Sequence, residues 1–286
     1  MQVEEATPRA LPIDYWRLLH PVPSLLTMVA AGAFVFLAAR GMPPLDRLLH
    51  LLLIELAMQF SISAFNDYFD RPFDVGRGDK PVATGAISQS VAFALGALLG
   101  LACILLAIPL GGWVTLLTAI GLGGGLAYDA GLKRTAFSWL PFSIAFPTLP
   151  LWAWAGVEGK FPPQLAWVVP IGGIMVLGIH LADTLPDLSA DTQAGIRGLA
   201  HRLGMQRAIA LCWGAFAVAT LLTLLLSAVI PYRYEWYLPG LIAGSVLMLL
   251  GVSVYLTNRS RIKVMALLLE VGAMVLAVGW VAAITL

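Results

Sequence analysis

The chain has 286 residues, 59% of them hydrophobic and 12% charged, with a formal net charge of +1. Soluble globular domains run near ~45–50% apolar and ~25% charged, so no soluble core hides this much apolar surface, and lipid is the solvent for much of it. The near-zero net charge leaves no basic field to attract nucleic acid.

In chain order, residues 1–20 carry Glu4, Glu5, Arg9, Asp14 and Arg17 before any apolar run begins, and read as a polar N-terminal segment rather than a cleavable signal. A membrane-crossing helix takes about 20 mostly apolar residues. Nine segments qualify: 22–39, 48–66, 91–109, 113–129, 138–155, 164–182, 208–230, 237–256 and 264–285. Gly111 and Gly112 predict a tight turn between the third and fourth. Runs such as 221–230 do not alternate in polarity, so helices are expected rather than the strands of a barrel. An eight-span count stays open because the turn at Gly111 is so short. Cys103 and Cys212 lie in apolar runs and read as small core residues.

The basic residues orient the bundle. With the N-terminus in the cytoplasm, all 17 lysines and arginines except Arg40, Arg47, Lys160 and Arg233 fall in inside segments. Nine spans then put the C-terminus outside. Eight would invert the later loops and weaken the asymmetry.

Two inside connections are long, 67–90 and 183–207, and they hold Asp67, Asp70, Asp74, Asp79, Asp183, Asp187 and Asp191. Topology alone predicts basic residues there, so the carboxylates need another reason. Asn66, Asp70 and Asp74 are four apart, with Asp67 three before Asp70; Asp183, Asp187 and Asp191 repeat the four-residue step. On a helix that spacing sets oxygen ligands on one face, where like charges repel unless a cation lies between them. Oxygen donors without histidine or cysteine suit Mg²⁺, which binds a few carboxylates together with substrate phosphates. Pro72 and Pro186 place these ligands near helix ends. Asp70, Asp74 and Lys80 are spaced as Asp187, Asp191 and Arg197 are, so both loops read as doing the same job. Arg77, Lys80, Lys133, Arg134 and Arg197 stand near the acidic segments, with arginine suited to bidentate phosphate contact and lysine to a point charge.

These residues resemble the UbiA superfamily of intramembrane prenyltransferases. Asn66, Asp67, Asp70 and Asp74 match its first motif, N-D-x-x-D-x-x-x-D, followed by Asp79-Lys80-Pro81 and Gly85, with lysine where arginine is usual. Asp183, Asp187 and Asp191 match the second motif. The stretch Gly195-Ile196-Arg197-Gly198-Leu199 follows it, with Gly198 where threonine is common; Tyr128 and Lys133 fit the loop after the fourth span. The resemblance covers roughly 15–285 and implies one all-α domain over 1–286, its nine transmembrane helices surrounding a central apolar cavity capped by cytoplasmic loops. With no organelle-targeting peptide evident, a prokaryotic inner membrane is expected, and the asymmetry of basic residues puts the two acidic loops, and so the active site, on the cytoplasmic side. Mg²⁺ would be held by Asn66, Asp67, Asp70, Asp74, Asp183, Asp187 and Asp191. Asn66, Arg77, Lys80, Lys133, Arg134 and Arg197 would bind the diphosphate of an isoprenyl donor, with Asp70, Asp74, Asp187 and Lys133 catalytic. A lipophilic or aromatic acceptor, faced by Tyr128, Asp129 and His180, would attack the allylic cation, while membrane lipids surround the bundle.

Asp129 reads at least as well as an interfacial cap, and His180 reads better as a satisfied interface histidine than as a group that orients a ligand or substrate. Glu55 and Glu270 are ionisable residues inside spans, a placement that marks functional candidates, and Glu55 is positioned to face a cavity. Trp16, Trp113, Trp139, Trp236 and Trp280 fall near span ends, as in an aromatic belt. Gly123-Gly124-Gly125 suits close helix packing. Two other readings remain. A membrane phosphoalcohol transferase with a nucleotide-linked donor also uses Mg²⁺ and aspartates, but through one contiguous motif with a glycine that does not follow Asp70 here. A cation transporter would place its ions near the midplane rather than at span ends.

Overall fold

The computed structural model describes residues 10–193 and 195–285. Glu4, Glu5 and Arg9 of the polar segment lie outside the described residues. The regular structure within them is helical: α1 Pro12–Leu18, α2 Pro21–Ala39, α3 Leu45–Asp70, α4 Gln89–Ala107, α5 Gly112–Asp129, α6 Leu140–Ala145, α7 Thr148–Glu158, α8 Val168–Thr184, α9 Leu188–Gln193, α10 Leu199–Leu203, α11 Met205–Leu226, α12 Tyr234–Thr257 and α13 Ile262–Thr285.

Among the described residues, eight helical segments are long and apolar enough to cross a membrane: Pro21–Ala39, Leu45–Asp70, Gln89–Leu110, Leu140–Glu158, Pro163–Asp187, Met205–Leu226, Tyr234–Thr257 and Arg259–Thr285. The remaining expected segment, the fourth at 113–129, is helical as α5 but is not among the eight. Five glycines, Gly112, Gly121, Gly123, Gly124 and Gly125, and the terminal Asp129 dilute its apolarity.

Three local expectations change. Residues 12–18 of the polar segment form a helix whose Leu18 is fully buried while Leu11, Ile13, Tyr15 and Trp16 stay exposed. The fifth segment is split into α6 and α7 at Phe146–Pro147, where proline has no N–H to give the preceding turn. Trp280 is 2% exposed and donates through Nε1 to Tyr232 Oη at 2.6 Å, so it belongs to the core rather than to a belt. Trp16, Trp113 and Trp236 are exposed, as a belt requires.

Small residues set the closest helix contact. A Cβ at Gly244 of α12 would lie 2.6 Å from Gly272 O of α13, and one at Gly240 would lie 2.9 Å from Gly279 Cα. The two backbones touch where only hydrogen separates them, the packing mode that replaces the hydrophobic drive inside lipid. Gly123-Gly124-Gly125 works partly the same way: Gly124 faces Pro141 O and Gly125 abuts Ile62, whereas Gly123 faces open space. Cys103 and Cys212 are both free and buried.

Candidate active site

The C-terminal ends of α3, α5 and α8 meet at one end of the bundle. Each helix C-terminus carries partial negative charge, and each here ends in carboxylates: Asp67 and Asp70 on α3, Asp129 on α5, Asp183 on α8. Cations are therefore needed to hold the three ends together, and the loops supply them. The first motif leaves its helix at Asp70 and turns through residues 71–74; the second passes from α8 through a 3₁₀ turn at Leu185–Asp187 into α9. Pro72 and Pro186 sit at these interruptions, as their chemistry predicts.

Lys133 is the hub. Its Nζ donates to Asp70 Oδ2 at 2.5 Å and to Asp129 Oδ1 at 3.2 Å. Arg134 Nη2 donates to Asp70 Oδ1 at 2.6 Å, and its guanidinium lies 3.8 Å from the Phe73 ring centre. Asn66 Nδ2 donates to Asp129 Oδ1 at 2.7 Å, which ties α3 to α5. Beside this hub, Lys80 Nζ donates to Asp67 Oδ1 at 2.7 Å and to Asn66 Oδ1 at 3.4 Å, and lies 4.0 Å from Asp74 Oδ2. His20 Nε2 stands 2.9 Å from the same Asp67 oxygen and 3.1 Å from Lys80 Nζ. Arg77 bridges Asp74 at 3.3 Å and Asp79 at 3.0 Å. Burial holds the Asp74 carboxyl above the usual carboxylate range against the pull of Lys80 and Arg77, while the Arg77 hydrogen bond holds Asp79 below it.

The second motif is barely compensated. Lys263 Nζ is 3.9 Å from Asp187 Oδ1, and both side chains are exposed. His201 Nε2 is 3.6 Å from Asp191 Oδ2, too long for a hydrogen bond. Burial pushes the Asp191 carboxyl up and the His201 imidazole down. Asp183 has no hydrogen bond or ion pair among the described residues. His180 is buried, with Nε2 3.0 Å from Ser138 Oγ, which accepts from Leu199 N–H at 3.0 Å. Tyr128 meets His180 edge-on at 6.3 Å.

A cavity of about 210 Å³ is lined by Lys133 and Arg134, the partners of Asp70, together with Asp183, Asp187 and Asp191 of the second motif and with Tyr128, Ser138 and His180. A second, apolar cavity of about 110 Å³ starts at the same Tyr128 and descends between α3, α5 and α6. Of the expected site residues, Tyr128, Lys133, Arg134, His180, Asp183, Asp187 and Asp191 line the polar cavity, whereas Asn66, Asp67, Asp70, Asp74, Arg77, Lys80, Asp129 and Arg197 do not; Arg197 is exposed, and its carbonyl accepts from Arg202 Nε. His20, Ser138 and His201 are the residues the sequence reading missed. No motif spacing marks them, because they reach the site from three separate segments.

Among the described residues, no three His, Cys, Asp or Glu side chains already converge as a metal cage. The donor set nevertheless fits a hard dication. It is all oxygen, its second run lacks close cationic partners, and Asp67 Oδ2 is buried with no partner.

Known proteins resemble the chain along most of its length. Residues 24–274 match the family model for the UbiA prenyltransferase family. A digeranylgeranylglyceryl phosphate synthase from Methanoregula boonei is 29% identical over 246 residues, 82% of this chain and 83% of that protein. A 4-hydroxybenzoate octaprenyltransferase from Albidiferax ferrireducens is 30% identical over 215 residues, 73% of this chain and 72% of that protein. The structure of a UbiA homolog from Archaeoglobus fulgidus bound to GPP and Mg²⁺ superposes with a TM-score of 0.73 at 17% identity, covering 94% of this chain and 99% of that one. The chain therefore belongs to the UbiA prenyltransferase family, as a membrane enzyme that transfers a prenyl group from an isoprenyl diphosphate onto an acceptor.

Proposed function

We propose that the donor diphosphate is held with Mg²⁺ in the polar cavity between the two aspartate segments. One observation carries this reading: Lys133 and Arg134, which grip Asp70, share that cavity with Asp183, Asp187 and Asp191. Asn66, Asp67, Asp70, Asp74, Asp183, Asp187 and Asp191 would hold Mg²⁺, which supplies Lewis-acid charge to the phosphate oxygens. Lys133, Arg134, Lys80 and Arg77 offset the charge that grows on the leaving diphosphate as the C–O bond ionises to an allylic cation. Lys80 is held in place by Asp67 and His20, so it meets that charge without reorganising. The prenyl tail lies in the apolar cavity under Tyr128, whose walls keep water from the cation. Tyr128, Asp129 and His180 face the acceptor, a lipophilic or aromatic molecule. 4-Hydroxybenzoate and a glyceryl phosphate lipid, named for the relatives above, are the first two to try.

The reading extends to the whole chain. It forms one domain, and α5 crosses the membrane with the other eight segments, giving nine spans; its contacts with α3, α4, α6 and α7 support this. The excess of lysine and arginine then puts the N-terminus and the active site in the cytoplasm and the C-terminus outside, in the inner membrane of a prokaryotic cell. Asp187→Ala tests the two-segment site. It leaves the protein folded in detergent, since Asp187 is exposed and has only the distant Lys263 as a partner. Turnover should nonetheless fall by roughly 10² or more, as when a preorganised transition-state contact is lost. Near-normal turnover would remove the second segment from the site.

A further inference from the structure

Glu55 is a buried carboxyl that the diphosphate chemistry does not use. It lies on α3 three helical turns before Asn66, about 16 Å deeper at ~1.5 Å of rise per residue. It is 1% exposed. Its Oε1 accepts from Gln59 Nε2 at 2.8 Å, and its Oε2 is buried with no partner. Both side chains line the apolar cavity of about 110 Å³ that begins at Tyr128. One turn beyond Glu55 the way is shut: Leu51 packs on Gly156, and Trp152 Nε1 donates to Thr118 at 3.0 Å. Phe146 and Leu149 line both this cavity and a neighbouring apolar one of about 200 Å³ between α2, α8 and α13.

A carboxyl oxygen at the end of an apolar tube is tolerated only while some polar atom reaches it. A prenyl tail offers none. A tail that stops short of Glu55 leaves the oxygen room for solvation, whereas a tail that reaches it strips that away. Buried polar groups reject apolar ligands by this asymmetry.

We propose that Glu55, positioned by Gln59, is the stop that sets the length of the donor's tail, admitting geranyl and farnesyl chains and discriminating against geranylgeranyl. The lengths agree. An isoprene repeat contains four backbone bonds and extends about 5 Å, by the covalent geometry that gives a three-bond peptide unit about 3.6 Å. Three repeats reach the level of Glu55, and a fourth must pass it. The inference rests on the reading that the tail occupies this cavity.

The test uses the full-length protein in detergent with Mg²⁺. Calorimetry measures the binding of geranyl, farnesyl and geranylgeranyl S-thiolodiphosphates, which bind without reacting, with inorganic diphosphate as the reference for an intact site. The native protein binds the geranylgeranyl analogue about fivefold to a hundredfold more weakly than the farnesyl one, the range set by one orphaned polar group. Glu55→Leu brings that ratio near one, and Glu55→Gln keeps it. Ile62→Phe, which fills the cavity above Glu55, weakens all three analogues relative to inorganic diphosphate. An unchanged ratio in Glu55→Leu beside the expected loss in Ile62→Phe overturns the stop while leaving the tail's place intact. No effect of either substitution removes the tail from this cavity, and the stop with it.

Discussion

Replacing Lys133 with methionine separates its structural role from its chemical one. Lys133 is 11% exposed and holds Asp70 and Asp129, which are 16% and 2% exposed. Without it Asp70 keeps Arg134 at 2.6 Å, whereas Asp129 keeps only Asn66 at 2.7 Å. Removing one partner of a buried ion pair costs about 3–5 kcal/mol when nothing else compensates. The surviving Asn66 hydrogen bond, worth about 1.5–3 kcal/mol to a charged acceptor, brings the expected loss to about 2 kcal/mol. The loss in kcat is larger, about 10²–10³, because a preorganised cation at the leaving diphosphate is gone. Thermal unfolding in detergent and initial-rate assays of prenyl transfer measure the two effects. The double variant Lys133→Met with Asp129→Asn removes the stranded charge, so it regains most of the stability and none of the turnover. A Lys133→Met enzyme with kcat within about threefold of native would refute the electrostatic role assigned to this residue.

Two further predictions concern the scaffold. Gly244→Leu drives a side chain into Gly272 O and Leu276 of the neighbouring helix, so α12 and α13 must separate; the variant should unfold at a clearly lower temperature in detergent than a Gly123→Ala control, whose Cβ meets open space. Val75 is 80% exposed in the loop after the first motif, and the native Cys103 and Cys212 are buried. Val75→Cys should therefore react with an impermeant maleimide in inside-out vesicles and not in intact cells; the reverse pattern would invert the orientation.

Most of the fold was legible because lipid leaves the chain few choices. Where apolar runs were long and uninterrupted, as in α4, α11 and α13, the expected and observed bounds differ by a few residues. The elements are less sharply marked where local chemistry interrupts the run. Pro147 divides one expected span into α6 and α7, and the glycines of α5 lower its apolarity until length and composition alone no longer mark it. In the site, residues spaced along one segment were recoverable from that spacing: Asn66, Asp67 and Asp70 do lie at one helix end, and Asp183, Asp187 and Asp191 do line one cavity. The partners that fix them were not recoverable. His20 lies 47 residues from Asp67, and Ser138 lies 42 from His180, so only the packing of separate helices brings them together. Arg197 shows the converse, a residue whose spacing repeats that of Lys80 but which is exposed, whereas Lys80 is held by Asp67.

Diphosphate release by the purified protein tests the central claim most directly. Geranyl and farnesyl diphosphate are offered with 4-hydroxybenzoate and with a glyceryl phosphate lipid, in Mg²⁺ and in EDTA. The account predicts release that requires Mg²⁺, rises with one acceptor and disappears in Asp187→Ala. Release that persists in EDTA, or that Asp187→Ala leaves intact, would contradict a metal-held diphosphate between the two aspartate segments.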